Sequence, residues 1–375
     1  VIVSQSIGAK KSDTVKKSVH TAICISVIMG IILSVIGVIF SRILLVIMKT
    51  PSDVLDDSVL YLRIFSAGLI FNVIYNMATG ILNAAGNSTK PLQYLAIASV
   101  TNIILDLLFI RVFKMGVAGA AIATDISQAL SCVLAVGYLL RVKSDYKINI
   151  KELKIDKAIA KEIIRIGLPT AIQNAVISFS NVLVQSSVNA YGSTAMAGYT
   201  AYLKIDGFNI LPVLSISMAV TTFTGQNVGA KNLKRVKKGM YDALIMCTIY
   251  TVLTGVFLLS LSHQILSLFT NDSAVIEYGQ LAMKYFCPFY FLLGILNTLA
   301  GTVRGAGKGV PPMLILLFSM CIFRIFWIKL ALPFFSTIDG IFMLYPISWS
   351  VGMIMMIIYT RYGKWLPQEN KRNLD

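Results

Sequence analysis

Three carboxylates lie inside stretches of sequence that are otherwise almost wholly apolar: Asp106, Asp125 and Asp206. An ionisable group in such surroundings costs several kcal/mol unless it faces a wet cavity or a partner. Asp106 and Asp125 flank a turn at 114–116. Each is about 8–10 residues from it, or roughly 12–15 Å along a helix, so the two reach similar depth on antiparallel neighbours. Asp206 lies about ten residues into its own segment, counted from the same, outer face. This spacing predicts one acidic site in the outer half, where low dielectric disfavours neighbouring ionised carboxylates. Such a group takes up a proton or accepts sodium and releases it when wetted from the other side. The plainer alternative for each is a structural hydrogen bond, or a pair with Arg324 or Lys204.

A second pattern is polar but uncharged. Asn174, Ser178, Asn181, Gln185 and Asn189 follow one another at intervals of four, three, four and four, which places them on one helix face with Gln173 beside them. Such a face lines a wet cavity or joins helices by hydrogen bonds. Tyr199, Tyr202 and Phe208 on the next segment offer aromatic faces to a lipophilic cation, with ordinary core packing as the alternative. Arg63 and Lys284 read as snorkelling cations near segment ends. Arg324 is deep, about 12 residues past Pro312, and needs a carboxylate or carbonyl partner. Pro169, Pro212, Pro288 and Pro346 mark kinks.

Other chemistries lack a motif. The run 301–309 (GTVRGAGKG) misses phosphate-loop spacing by one residue and has no Ser or Thr after its lysine. There is no nucleophile elbow or zinc-protease motif, so no enzyme and no cofactor is expected. Cys24, Cys132, Cys247, Cys287 and Cys321 read as buried free thiols. His20 and His263 read as interfacial polar residues, with no metal role.

The elements that carry these residues must span a membrane. Of 375 residues, 56% are hydrophobic and 13% charged, with a mean hydropathy of +0.76, too little charge for the surface of a soluble fold. Ten spans are expected near 20–40, 58–80, 91–112, 117–140, 168–190, 196–226, 241–262, 278–300, 312–332 and 340–360. They fall into two copies of one unit. Gln5 to Lys10 (QSIGAK) returns as Gln226 to Lys231 (QNVGAK), a shift of 221 residues. Val15-Lys16-Lys17, Ala85-Gly86 with Pro91, Asp56 and Arg63 recur at the same shift as Val236-Lys237-Lys238, Ala306-Gly307 with Pro312, Glu277 and Lys284. An even number of spans between the copies makes the repeats parallel.

The formal net charge of +16 follows the loops. Alternation puts Lys10–Lys17, 141–165, Lys231–Lys238, Arg304 with Lys308, and the C-terminal tail on one side. Arg42, Lys49, Lys114 and Lys329 fall on the other. The positive-inside rule makes the basic side cytoplasmic, in contact with anionic lipid rather than nucleic acid. The expected organisation is a truncated N-terminal lobe of about four helices at 1–145 and a basic linker at 146–167. A C-terminal lobe of six helices at 168–362 and a cytoplasmic tail at 363–375 follow. The linker reads as an interfacial helix or as a solvated connection. Comparing the copies predicts about sixty further residues, or two spans, before Val1.

The Gly-Ala-Lys loops, Asn102 to Asp106 with the Gly116 to Thr124 run, Lys204 to Phe208, and Arg304 to Gly307 together resemble the MATE (multidrug and toxic compound extrusion) family, in its NorM- and MepA-like branches. The resemblance covers the whole chain. It implies an all-α membrane protein of twelve helices in two lobes with a cavity between them. It also implies antiport, in which a lipophilic, often cationic drug-like compound leaves as sodium or protons enter, by alternating access of a monomer in the cytoplasmic membrane. The family's intramembrane acid before the Gly-rich turn matches Asp106. Asp206 stands where the family usually has Glu, and Asp125 where a neutral residue is expected. Rival readings are a lipid or glycan-precursor flippase with a basic cavity, a membrane-embedded enzyme, or a channel.

Overall fold

The computed structural model describes residues 1–48, 50–335 and 337–366, and every regular element among them is helical. The short α1 (Ile2–Gly8) leads into α2 (Ser12–Ile47), α3 (Ser52–Ala67), α4 (Leu69–Ala84), α5 (Thr89–Asp106) and α6 (Gly116–Arg141). Next come α7 (Lys157–Asn189), α8 (Ser193–Gly229), α9 (Leu233–Ser260), the short α10 (Ser262–Ser267), α11 (Ser273–Phe286) and α12 (Tyr290–Gly305). The chain closes through α13 (Val310–Leu317), α14 (Phe323–Phe326), α15 (Asp339–Phe342) and α16 (Leu344–Tyr362). Backbone groups in hydrocarbon must be paired within their own segment, which leaves helices as the form these apolar stretches can take.

Among the described residues eight helices or helix runs are long and apolar enough to cross a membrane, and the pair α3 and α4, bent by 43°, makes a ninth if counted as one span. The tenth expected span is α7. It runs unbroken for 33 residues through Pro169, but its row of amides and hydroxyls keeps it outside that set. Lys49 and the tail from 367 on lie outside the described residues.

The chain divides into two compact units, Ile2–Ile163 and the residues from Ile164 on with Val1. In the first, α2 packs along α3 and α4, and α6 packs against α3, α4 and α5. Val19, Ala78, Leu82, Ala135 and Leu139 are buried at the centre of its core. In the second, α8 is flanked by α9, α11 and α12, and α12 also packs on α16. Its core is heavily aromatic, built on Tyr199, Phe286, Tyr290 and Phe342.

The repeat is written into the backbone of each unit. Lys10 and Lys231 hold left-handed φ values of 55° and 58°, and Gly86 and Gly307 hold 83° and 88°. The loop bonds repeat too: Ala9 N–H to Gln5 O and Lys11 N–H to Ser6 O return as Ala230 to Gln226 and Asn232 to Asn227. The break at Gly68 between α3 and α4 returns as the 3-10 turn Cys287–Phe289 with Pro288, between α11 and α12. A widened π turn, Leu107–Val112, has its counterpart at Trp327–Ala331.

The linker forms no separate interfacial helix. Residues 142–156 lie as a strap along the start of α2. Asn149 N–H donates to His20 Nε2 at 3.0 Å and Asp156 N–H to Thr21 Oγ1 at 3.0 Å. Asp156 then caps α7 by accepting from Ala158 and Ile159 N–H, so the basic turns and the span form one helix.

Close helix approach needs small residues where hydrophobic pressure is absent. A Cβ added at Gly301 would stand 2.6 Å from the Ser217 carbonyl oxygen of α8, whereas one at Gly137 meets nothing within 4 Å. Gly301→Ala should therefore lower stability by about 1–3 kcal/mol, while Gly137→Ala should be neutral or stabilising by up to about 1 kcal/mol. Unfolding temperatures of the purified variants in detergent check the pair.

Candidate functional site

Asp206 projects from the middle of α8 into the aromatic core of the second unit. Tyr290, at the start of α12, donates its hydroxyl to Asp206 Oδ1 at 2.8 Å. Tyr202, one turn before Asp206, donates to the Tyr290 hydroxyl at 2.9 Å, the Tyr290 proton being already given to the carboxylate. The acid is thus held by one neutral hydroxyl with a second behind it, and among the described residues it forms no ion pair. Neither cation expected as its alternative partner takes that place: Lys204 Nζ lies 5.8 Å over the Phe269 ring.

Arg324, 3% exposed, also lacks a carboxylate. Its Nη1 donates to Asn181 Oδ1 at 3.0 Å, its Nε to Ser348 Oγ at 3.2 Å and its Nη2 to Met320 Sδ at 3.3 Å. The guanidinium rests 4.4 Å from the centre of the Tyr345 ring, a cation–π contact strengthened by desolvation. The Tyr345 hydroxyl meets that of Tyr199 at 2.6 Å. Between the acid and the guanidinium lie stacked and tilted rings: Tyr199 on Tyr202 at 6.1 Å, Tyr202 on Phe286 at 4.8 Å and Phe286 on Tyr345 at 4.7 Å. One half-buried carboxylate and one buried guanidinium are therefore set in the same aromatic block, each solvated by hydroxyl, amide or ring rather than by a countercharge.

Two expected cavity residues move to a different role. Tyr199 and Tyr202 are 2% and 3% exposed. Their faces are covered by neighbouring rings, and their hydroxyls pair with those of Tyr345 and Tyr290. Phe208 is the exposed ring of that trio, at 76%. On α7, Asn174 and Ser178 are exposed and Gln185 is half-buried. Gln185 Nε2 donates to Asn189 Oδ1 at 2.9 Å, and Asn181 is engaged by Arg324. Gln173 is buried with Oε1 unpartnered.

In the first unit, Asp106 ends α5 where the π turn begins, and its Oδ1 is buried without a hydrogen-bond partner. Asp125, on α6, packs its carboxylate against Gly68 at the bend between α3 and α4. A Cβ at Gly68 would overlap the Asp125 carboxylate, so a glycine there is what admits the acid. Among the described residues no hydrogen bond links Asp106 to Asp125. Arg63 Nε reaches Ser41 Oγ at 3.3 Å.

Tyr290, Tyr345 and Ser348 went unmarked in the sequence reading. Tyr290 stands 84 positions from its carboxylate. The available signal was the tyrosine pair 199/202 one turn before an intramembrane acid, which asks for further hydroxyl partners. Among the described residues no cluster of His, Cys, Asp and Glu can hold a metal ion.

A family model described as MatE matches residues 1–108 and 169–328. A Bacillus subtilis protein named "Probable multidrug resistance protein YoeA" is 29% identical over 379 residues, covering 96% of this chain and 80% of the relative. A solved multidrug resistance MATE family transporter of the MOP superfamily, in an outward-facing conformation, superposes with a TM-score of 0.90 at 20% identity, covering 96% of this chain and 81% of that one. A MOP superfamily transporter from Pyrococcus furiosus, whose reversed pocket polarity is said to suggest a different function, superposes with a TM-score of 0.89 at 21% identity over the same shares.

The fit at Gly68 makes a coupled pair. Gly68→Ala alone should destabilise the protein by about 1–3 kcal/mol. In Gly68→Ala with Asp125→Ala most of that loss should vanish, leaving a coupling of about 0.5–3 kcal/mol in a double-mutant cycle of detergent unfolding temperatures.

Proposed function

This chain belongs to the MatE family, a family of membrane transporters rather than enzymes, and from that premise we propose that it is a multidrug efflux antiporter. Lipophilic, cationic drug-like compounds leave the cell as sodium ions or protons enter. The observation that carries the reading is Asp206: an intramembrane carboxylate with one tyrosine donor, a second tyrosine hydroxyl behind it and no countercharge among the described residues. Such a group is held in place yet left free to accept a cation or a proton, which a carboxylate in a salt bridge is not.

Asp106 is the second coupling group, on the strength of its unpartnered Oδ1 beside the π turn; π turns recur at functional positions. Asp125 is the third and weakest, since its carboxylate is already packed against the Gly68 bend. On α7, Asn174, Ser178, Asn181 and Gln185 serve as the polar side of the substrate path, with Tyr199 and Tyr202 behind them as scaffold. Transport proceeds by alternating access: cation at the acids favours one facing state and substrate the other, because only a difference in affinity between states shifts their balance. The protein works as a monomer in the cytoplasmic membrane, with its basic loops and C-terminus inside, as the positive-inside rule supports. A flippase for phosphate-bearing lipids would need free cationic donors; all three nitrogens of Arg324 are already engaged by neutral partners.

Asp206→Asn should cut ion-driven efflux roughly tenfold or more, the scale set by a charged hydrogen bond worth about 1.5–3 kcal/mol. Asp106→Asn should do the same and Asp125→Asn less. Ethidium efflux from cells, under imposed sodium and proton gradients and with protein levels matched, measures this. Full gradient-driven efflux in both Asp106→Asn and Asp206→Asn would sink the coupling assignment.

A further inference from the structure

One concave feature of the second unit belongs to none of the chemistry above. It is a groove of about 880 Å³ with α12 as its floor, through Ile295 and Leu299. One wall is α9, with Tyr241 and Thr248; the other is α16, with Ile357 and Arg361. The lining is apolar along most of its length and cationic at one end. That end is where α9 begins and α16 finishes. Arg361 stands in the last turn of α16, and Lys237 precedes Tyr241 by one helical turn on the same face of α9. Among the described residues neither cation has an ion-pair partner. Lys237 and Asp242 both lie on α9 just outside the groove lining, Lys237 on the face of Tyr241 and Asp242 one residue past it, turned about 100° away.

The cationic end is fixed rather than trailing. Trp365, buried at 4% exposure, folds back and donates Nε1 to the Thr360 carbonyl at 2.8 Å, and Gly363 N–H donates to Tyr359 at 2.7 Å. These bonds lock the turn that presents Arg361. Arg361 also sits at a helix C-terminus, where a cation is favoured.

We propose that this groove binds one anionic diacyl phospholipid, with its headgroup phosphate on Arg361 and Lys237 and an acyl chain along Ile295 and Leu299. Three observations select that occupant. The groove opens along helices that face hydrocarbon, so its ligand arrives from the bilayer. Two unpaired cations at one end ask for an anion, and a guanidinium suits a phosphate geometrically. Tyr241, 61% exposed, lies between the cations and the apolar floor, the level at which tyrosine meets lipid headgroups. A lipophilic cation would meet like charge at the same place.

The test uses the full chain reconstituted in vesicles of equal phosphatidylglycerol and phosphatidylcholine, extracted gently, with retained lipid counted by native mass spectrometry. The wild-type protein should keep one phosphatidylglycerol in preference to phosphatidylcholine. Arg361→Gln should weaken that preference about tenfold, as loss of a charge-assisted contact does. Thr248→Trp and Ile357→Trp, which fill the groove from opposite walls and leave the charges alone, should lose the lipid. Phe257→Trp, on α9 outside the groove, should keep it and so separates filling from general damage. Equal retention of both lipids by the wild type, or unchanged retention in Arg361→Gln, overturns the proposal and leaves only annular lipid at this face.

Discussion

A polar group inside hydrocarbon has no water to turn to, and this one constraint organises the chain. It is why the elements are helices, since every backbone bond must close within its own segment. It is why Thr124, Ser127, Thr200, Thr251, Thr254 and Thr302 turn their hydroxyls back onto carbonyls three or four residues earlier. It also separates groups that are fully partnered from those that are not. Asp206 and Arg324 are the extreme case: each is ionisable, one half-buried and one fully buried, and each is solvated by side chains that carry no charge. An arrangement of that kind costs stability relative to an apolar core. Its retention fits a role in which the acid's occupancy changes, since a carboxylate already neutralised by a fixed cation would have little left to gain from sodium or a proton.

The bends follow from the same rule. Gly68 and the Cys287–Phe289 turn occupy corresponding positions of the two repeats, yet they are built differently. In the first repeat a missing Cβ makes room for the Asp125 carboxylate. In the second, Pro288 breaks the helix and Gly255 comes close to the Cys287 carbonyl. Tyr290 begins the helix just after that break, which is how its hydroxyl comes to face Asp206. A shared scaffold thus carries one acid, Asp125, at the first bend and the hydrogen-bond donor of another, Asp206, at the second.

Much of the fold could be read from the residues. Long apolar runs give spans because length and hydropathy decide insertion, and all ten expected positions are helical. The duplicated loops were visible because left-handed φ at Lys10, Lys231, Gly86 and Gly307 depends on local sequence. The acids stood out because charge is rare in such segments. The partners did not. Tyr290 and Tyr345 are two aromatic residues among many, and nothing in their spacing says which carboxylate or guanidinium they meet across helices. Tyr199 and Tyr202 looked like open faces because a helix-face argument cannot tell an outer face from one covered by Phe286 and Phe342. The linker's lysines do not say where its helix ends: the turns that begin after Asp156 run on through Pro169 to Asn189 as one helix.

Trp349 provides a direct view of the proposed coupling site, because its ring lies 6.1 Å from that of Tyr290 and 5.9 Å from that of Tyr345. With Trp327 and Trp365 changed to Phe, it is the single tryptophan left of three. Its fluorescence can then be titrated with sodium, and separately with protons, in the purified protein. If Asp206 accepts the coupling cation, one of the two titrations shifts the emission and the shift disappears in Asp206→Asn. An emission that responds equally in both proteins, or that responds to neither ion in the parent, contradicts the assignment.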